Sequence, residues 1–277
     1  MLRDTEVDYE AEYNNRARVP EHPAIIAGWA RDAQAYRDLN PPLRIAYGAS
    51  ERQFIDLFHA GAPDRAAATV VFIHGGYWQN LAPSFFSHLA RGPNAHGLDV
   101  AVAGYDLCPQ VRVGDIVEEL RAACRELARF ERRLVVAGHS AGGHLTACMT
   151  ATSWPAVDEK LPRDFVTAGY AISGIFALQP LVQTSINTAL GMDDAEAELQ
   201  SPLTWQAPAG LRFDAVVGGD ESPEYLRQSR TIAERWGSAG VDTRYEAVPG
   251  ENHFTVIAPL ADPGSAMTRR IAELARA

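Results

Sequence analysis

Cysteine is scarce in this 277-residue sequence: Cys108, Cys124 and Cys148 are odd in number, far apart and set among apolar residues. That pattern supplies neither a disulfide framework nor a cysteine metal site, and it suits reduced thiols in a core. Long apolar runs are missing too. None reaches the roughly 18 residues of a membrane span, so no membrane role is expected. The N-terminal stretch MLRDTEVDYEAEYNNRARVPEHP is polar and lacks the apolar centre of a secretory signal, which makes the cytoplasm the expected location. No Lys/Arg cluster interrupts the formal net charge of −10, a balance that repels phosphate backbones and excludes a nucleic-acid partner. Neither H-E-x-x-H nor H-x-x-x-H occurs, so the spacing of helix-borne metal ligands is absent and no metal or other cofactor is expected. Internal repeats and low-complexity tracts are also lacking.

What remains is the composition of an ordinary soluble globular protein, 47% hydrophobic and 22% charged. The length suits one α/β domain over residues 1–277. An N-terminal arm, residues 1–42, contains a helical pattern over 24–37 that ends at the N-P-P of 40–42. Residues 43–47 and 53–58 read as an antiparallel strand pair around a Gly-containing turn. From residue 69, short β-branched runs alternate with amphipathic segments, the pattern of a mostly parallel sheet flanked by helices. Strands are expected at 69–73, 99–102, 134–137, 167–172, 213–217 and 243–248; helices are expected at 84–91, 114–130, 141–152, 223–238 and 264–276. The Pro-rich, acidic stretch 175–210 interrupts this rhythm where a simple crossover belongs, and reads as a small cap.

Four segments carry chemistry. Residues 138–142 read G-H-S-A-G, preceded by the apolar strand R133-L-V-V-A137 and followed by a helix-like run. That strand–turn–helix context is what a nucleophile elbow requires, and it makes Ser140 the expected nucleophile. Upstream, H74-G-G-Y-W78 follows an early strand. A glycine-rich loop there can aim backbone N–H groups at a developing oxyanion, so Gly75, Gly76 and the Ala141 amide are the expected donors. Tyr77 and Trp78, beside that loop, are expected to contact an aromatic group of a small-molecule substrate. Near the C-terminus, His253 follows the last strand and a Pro-Gly loop, where an imidazole can reach Ser140 as a base. His22, His59, His88, His96 and His144 lack such a position, and His74 and His139 read as structural hydrogen-bond formers.

The third member, an acid, belongs after the strand at 213–217, in G218-G-D-E-S-P-E-Y225. Both Asp220 and Glu221 qualify by position. The order Ser, acid, His is that of α/β-hydrolases.

Several motifs taken together resemble the kynurenine formamidase (arylformamidase) family of α/β-hydrolases. They are Y13-N-N-R16, Y47-G48, H74-G-G-Y-W78, Y105-D-L-C-P-Q-V111, the G-H-S-A-G elbow, S173-G-I-F-A-L-Q-P-L181, E221-S-P-E-Y-L-R-Q-S229 and N252-H-F254, spread over nearly the whole chain. The resemblance implies metal-free hydrolysis of N-formyl-L-kynurenine to L-kynurenine and formate through a serine triad, within tryptophan degradation. Where that family often has Y-D-L after the S-G, this chain has F176-A-L. In the family the acid usually stands directly before S-P-E, a position held here by Glu221, which is therefore preferred to Asp220. An esterase or thioesterase acting through the same three residues is the alternative, and a non-catalytic binding protein on the same fold is a more distant one. A homodimer is an allowed assembly.

Overall fold

The computed structural model describes residues 7–61 and 68–277; residues 1–6 of the expected arm lie outside it. Three helices, α1 (Tyr9–Tyr13), α2 (Asn15–Arg18) and α3 (His22–Leu39), precede β1 (Leu43–Ala46) and β2 (Phe54–Phe58). Then come β3 (Ala68–Ile73), α4 (Arg91–Ala95), β4 (Asp99–Ala103), α5 (Val113–Leu127), β5 (Arg133–His139), α6 (Ala141–Ala151) and α7 (Trp154–Val157). The chain continues through β6 (Val166–Ile172), α8 (Asn187–Leu190), α9 (Asp194–Leu199), β7 (Arg212–Gly218), α10 (Pro223–Ser238), β8 (Asp242–Val248) and α11 (Ala266–Arg276).

The strands form one eight-stranded sheet in the order β1-β2-β4-β3-β5-β6-β7-β8. β2 runs antiparallel to both of its neighbours, and from β4 to β8 all pairings are parallel. A parallel sheet covered by helices must bury both faces, which explains the unbroken apolar runs. β3 is buried at every position, whereas β8, at the sheet edge, has no fully buried residue. The two-residue period of a strand then divides each run between two cores. Val71, Ile73, Leu134 and Val136 join Ile116, Leu120 and Leu127 of α5 on one face. Val70, Phe72, Val135 and Ala137 join Trp29 of α3 and Ile271 of α11 on the other. Each fully buried side chain of this size contributes roughly 1.5–3 kcal/mol. The helices start where the sequence offers caps: the Ser222 hydroxyl accepts from the Tyr225 amide ahead of Pro223, and Ser265 accepts from Thr268.

One expected helix is corrected. Residues 84–91 form two 3₁₀ turns, Pro83–Phe85 and Ser87–Ala90, and an α-helix begins only at Arg91. Phe86 separates the turns with φ −123°, held by ring contacts to Trp29, Phe72 and His74. Phe86 and Leu89 are both buried, and a three-residue turn places them on the same side.

The three cysteines are free and buried, and burial pushes the Cys108 and Cys124 thiols up to about 11 and about 12. No helix among the described residues is long and apolar enough to cross a membrane.

Between β6 and β7 the 175–210 excursion consists of short helical turns, and its acidic patch is the start of α9, where the Asp193 side chain caps Glu196 N. Glu196 pairs with Arg112 at the start of α5 (2.6 Å). On its other side the excursion meets the N-terminal arm: the Glu10 carboxylate accepts from Ser185 N and Oγ at 2.7 and 2.8 Å. The arm and the excursion therefore sit together near the carboxyl ends of the parallel strands.

Candidate active site

β5 ends at His139, and Ser140 turns the chain into α6 with φ +58° and ψ −118°, a conformation L residues avoid. The turn can be this sharp because of what flanks it. A Cβ on Gly142 would lie 2.0 Å from the carbonyl oxygen of Ile73, so the helix start can press against β3 only with glycine there. The Ser140 amide donates to the Ile172 carbonyl (2.8 Å), and the Ser140 carbonyl accepts from Gly143 and His144. Backbone pairing thus holds the serine with its hydroxyl above the N-terminus of α6, an end that favours negative charge.

His253 Nε2 lies 3.0 Å from Ser140 Oγ, and its Nδ1 lies 2.6 Å from Glu221 Oε2. All three side chains are buried. The other carboxylate oxygen of Glu221 accepts from the Gly218 amide (2.7 Å) and from the Ser173 hydroxyl. Asp220, one residue earlier, is exposed, and its amide donates to the Glu251 carbonyl. Of the two acids the sequence offers, the fold brings Glu221, the preferred one, to His253. Gly218 closes β7, the acid stands three residues on, and the Glu221 amide donates back to the Gly218 carbonyl across that turn (3.2 Å).

Two further histidines brace the site. His139 Nε2 donates to the carbonyl oxygen of His253 (2.8 Å), fixing the backbone that carries the imidazole. Burial, reinforced by the neighbouring His253, holds His139 well below the usual imidazole range, so it stays neutral. His74 stacks between Tyr105 and Phe86 beneath the glycine loop, and burial lowers it to about 3.

The glycine loop lies directly against the elbow. A Cβ on Gly75 would be 2.9 Å from Ser140 Cβ and 2.8 Å from the His139 carbonyl oxygen. Gly76 adopts φ +112° and lines the cavity at Ser140. Among the described residues, the amides of Gly75, Gly76 and Ala141 donate to no protein acceptor, which leaves them available to a ligand. Tyr77 also lines this cavity. Trp78, expected beside the substrate, does not: it is fully buried in the core, edge-on to His144 with ring centroids 5.1 Å apart. Both residues take left-handed φ values, +52° and +57°, and the turn they form sends Tyr77 to the cavity and Trp78 into the core.

Sequence reasoning gave no role to a group of residues that completes the site. Tyr77 donates its hydroxyl to the Tyr13 carbonyl, so Tyr225 must be the donor in their 2.8 Å contact. The two protons of Asn15 Nδ2 then go to Tyr77 (3.1 Å) and Tyr225 (2.9 Å), and every hydroxyl is satisfied. Burial raises both phenols, keeping them neutral donors, and the Tyr225 ring packs 4.7 Å from the His253 ring. The arm adds Trp29, edge-on to His139. Y13-N-N-R16 stood out in the sequence, but only the tertiary structure brings it to the nucleophile. Ser173 was equally visible as part of a motif, and its φ of +52° and contact with Glu221 had no local signature.

The cavity at Ser140 has a volume of about 50 Å³, and its walls come from the arm, the glycine loop, the elbow and the His253 loop. A more open groove of about 210 Å³ adjoins it, sharing Asn15, Arg16 and Tyr77 and reaching Ser185 and Ile186. Larger depressions of about 540 and 700 Å³ lie elsewhere and include none of Ser140, His253 and Glu221.

Comparison with known proteins places this geometry in context. A family model described as alpha/beta hydrolase fold matches residues 70–257. The kynurenine formamidase of Danio rerio is 27% identical over 238 residues, covering 83% of this chain and 80% of its own length. That of Drosophila melanogaster is 27% identical over 290 residues, 96% of this chain and 95% of its own. A solved structure from Silicibacter sp. TM1040, provisionally named a thioesterase, is 33% identical with a TM-score of 0.86, covering 96% of this chain and 99% of that one.

Proposed function

From its membership of the alpha/beta hydrolase fold family, as a kynurenine formamidase-like hydrolase, we propose that this chain is a serine hydrolase that cleaves an aryl formamide, N-formyl-L-kynurenine, to L-kynurenine and formate. The observation that carries the chemistry is the hydrogen-bonded chain from Ser140 through His253 to Glu221.

In this reading His253 Nε2 takes the Ser140 proton while Oγ attacks the formyl carbon. Glu221 holds the imidazole with its proton on Nδ1 and stabilises the cation that forms. The amides of Gly75, Gly76 and Ala141 receive the oxyanion. As the tetrahedral adduct collapses, the C–N bond breaks and His253 passes its proton to the departing aniline nitrogen. Water, deprotonated by His253, then attacks the formyl-enzyme; the ester bond to Ser140 Oγ breaks, His253 returns the proton to Oγ, and formate leaves. The full chain 1–277 acts as a single domain, with the 175–210 excursion as its cap.

The size of the cavity supports a small acyl group. The cavity at Ser140, about 50 Å³, is small beside the adjoining groove of about 210 Å³, which suits a small acyl group at the serine and an aryl leaving group in the groove. Tyr77, on the wall between the two, would face the ring. A second reading, ester or thioester hydrolysis by the same residues, is favoured by the Silicibacter neighbour. Measuring kcat/KM on N-formyl-L-kynurenine, p-nitrophenyl acetate and a short acyl-CoA separates them. We expect the formanilide to be at least equal to the ester; if it is slower by orders of magnitude, the formamidase reading is wrong and the ester reading replaces it.

A further inference from the structure

Arg16 stands where the nucleophile cavity opens into the outer groove, lining both. Its neighbour Asn15 is buried and tied to Tyr77 and Tyr225, so the backbone that carries Arg16 is held at the site's mouth. The charge is felt there: Arg16 acts electrostatically on the Tyr77 phenol. Yet among the described residues its guanidinium has no ion pair or side-chain hydrogen bond. Arg16 is exposed, and exposed Arg18, Arg125 and Arg163 likewise have no ion pair among the described residues; what sets Arg16 apart is its place on the walls of both the nucleophile cavity and the groove. The carboxylate that lines the same groove, Glu10, accepts from Ser185 N and Oγ.

An unpaired guanidinium beside a reacting centre is a receptor for an anion, and its planar fork matches a carboxylate with two parallel hydrogen bonds. The net charge of −10 makes it more telling, because the protein as a whole repels anions and an anionic substrate needs a local cation to be retained. Arg16 also lines the outer groove, which reaches away from Ser140, so the anion it binds is placed on the leaving group, in that groove.

We infer that Arg16 is a specificity-determining residue that binds a carboxylate on the leaving group, so that the preferred substrates are acyl donors with an anionic or amino-acid-bearing leaving group. The inference rests on acyl transfer at Ser140 but not on the acyl group being formyl. Its test uses two matched pairs: N-formyl-L-kynurenine with its methyl ester, and 4-(carboxymethyl)phenyl acetate with phenyl acetate. The readout is the anionic-to-neutral ratio of kcat/KM for the unmodified protein, Arg16→Ala and Arg16→Lys. A charge-assisted hydrogen-bonded pair predicts that Arg16→Ala lowers the ratio by about 10- to 100-fold, chiefly through KM, and that Arg16→Lys restores part of it. Rising salt should lower the unmodified protein's ratio and leave that of Arg16→Ala nearly flat. An unchanged ratio in Arg16→Ala overturns the inference and leaves the formamidase reading standing. If the unmodified protein hydrolyses the esters but neither N-formyl compound, the formamidase reading fails and the ester pair alone decides the role of Arg16.

Discussion

Replacing Glu221 by glutamine keeps the shape of the side chain and removes its charge, and the consequence can be worked out atom by atom. In the native site one carboxylate oxygen accepts from Gly218 N and Ser173 Oγ while the other accepts from His253 Nδ1 at 2.6 Å. Glutamine has a single acceptor oxygen. If that oxygen stays with Gly218, the NH₂ group faces Nδ1, and the imidazole must present a lone pair there. Its proton then moves to Nε2, which can no longer accept the Ser140 proton. If the amide flips instead, its NH₂ meets the Gly218 N–H, and a buried donor left unpaired costs about 1–3 kcal/mol. Because the strand-end amide is fixed, the first arrangement prevails and the wrong tautomer dominates. In serine proteases the same tautomer error costs about 10⁴ in kcat, equivalent to about 5.5 kcal/mol of barrier. We expect Glu221→Gln to lose about 10³- to 10⁴-fold in kcat on p-nitrophenyl acetate, with little change in KM and a native-like melting curve. Exposed Asp220, changed to Asn, should stay within about twofold of the unmodified protein. Steady-state kinetics of the two variants at neutral pH decide the matter. A Glu221→Gln protein within tenfold of the unmodified one, or a collapse confined to Asp220→Asn, refutes the assigned register of the acid.

Other consequences can be checked with equal economy. Ser140→Ala should reduce turnover by about 10⁵-fold or more and abolish labelling by an organophosphonate, both measured on protein that melts normally. Ser173→Ala should lower kcat by about 3- to 30-fold, since Glu221 loses one of its charge-assisted hydrogen bonds; an unchanged rate would show that Gly218 alone holds the carboxylate. Trp78→Ala should cost about 3–5 kcal/mol in urea unfolding because it empties a fully buried site, while Trp78→Phe keeps most of the activity; a selective loss of substrate affinity in the phenylalanine variant would return Trp78 to the binding site. Acid should destabilise the fold. Burial depresses His74 to about 3 and His88 and His144 to about 4, and it holds His139 well down. Below the ordinary imidazole value of about 6.5 the unfolded chain takes up protons that the native one refuses, each contributing up to about 1.4 kcal/mol per pH unit. Their stabilisation is complete above that pH and is lost progressively as pH falls from about 6.5, the loss ending for each group at its folded value of about 4 or 3; a melting temperature that stays flat between pH 6.5 and 4 would contradict this.

Much of the architecture could be read from the chain itself, because it rests on local pattern. Unbroken β-branched runs such as that of β3 can be buried on both faces only in a covered parallel sheet, and amphipathic runs such as α5 supply the cover. The Gly-x-Ser-x-Gly turn was legible for a similar reason: its glycines answer to a steric demand made within a few residues and by the strand alongside. Tertiary structure decided everything that depends on distance. It placed Glu221 rather than Asp220 against His253, because a one-residue difference of register along a turn becomes a difference between a buried hydrogen bond and open solvent. It turned 84–91 into 3₁₀ turns, since Phe86 had to meet Trp29, a residue of the distant arm. And it carried Asn15 and Arg16 across more than a hundred residues of sequence to the mouth of the Ser140 cavity. Nothing in a polar N-terminal segment announces such a role, because the hydrogen-bond partners that hold it, Tyr77 and Tyr225, come together only when the sheet and α10 are in place.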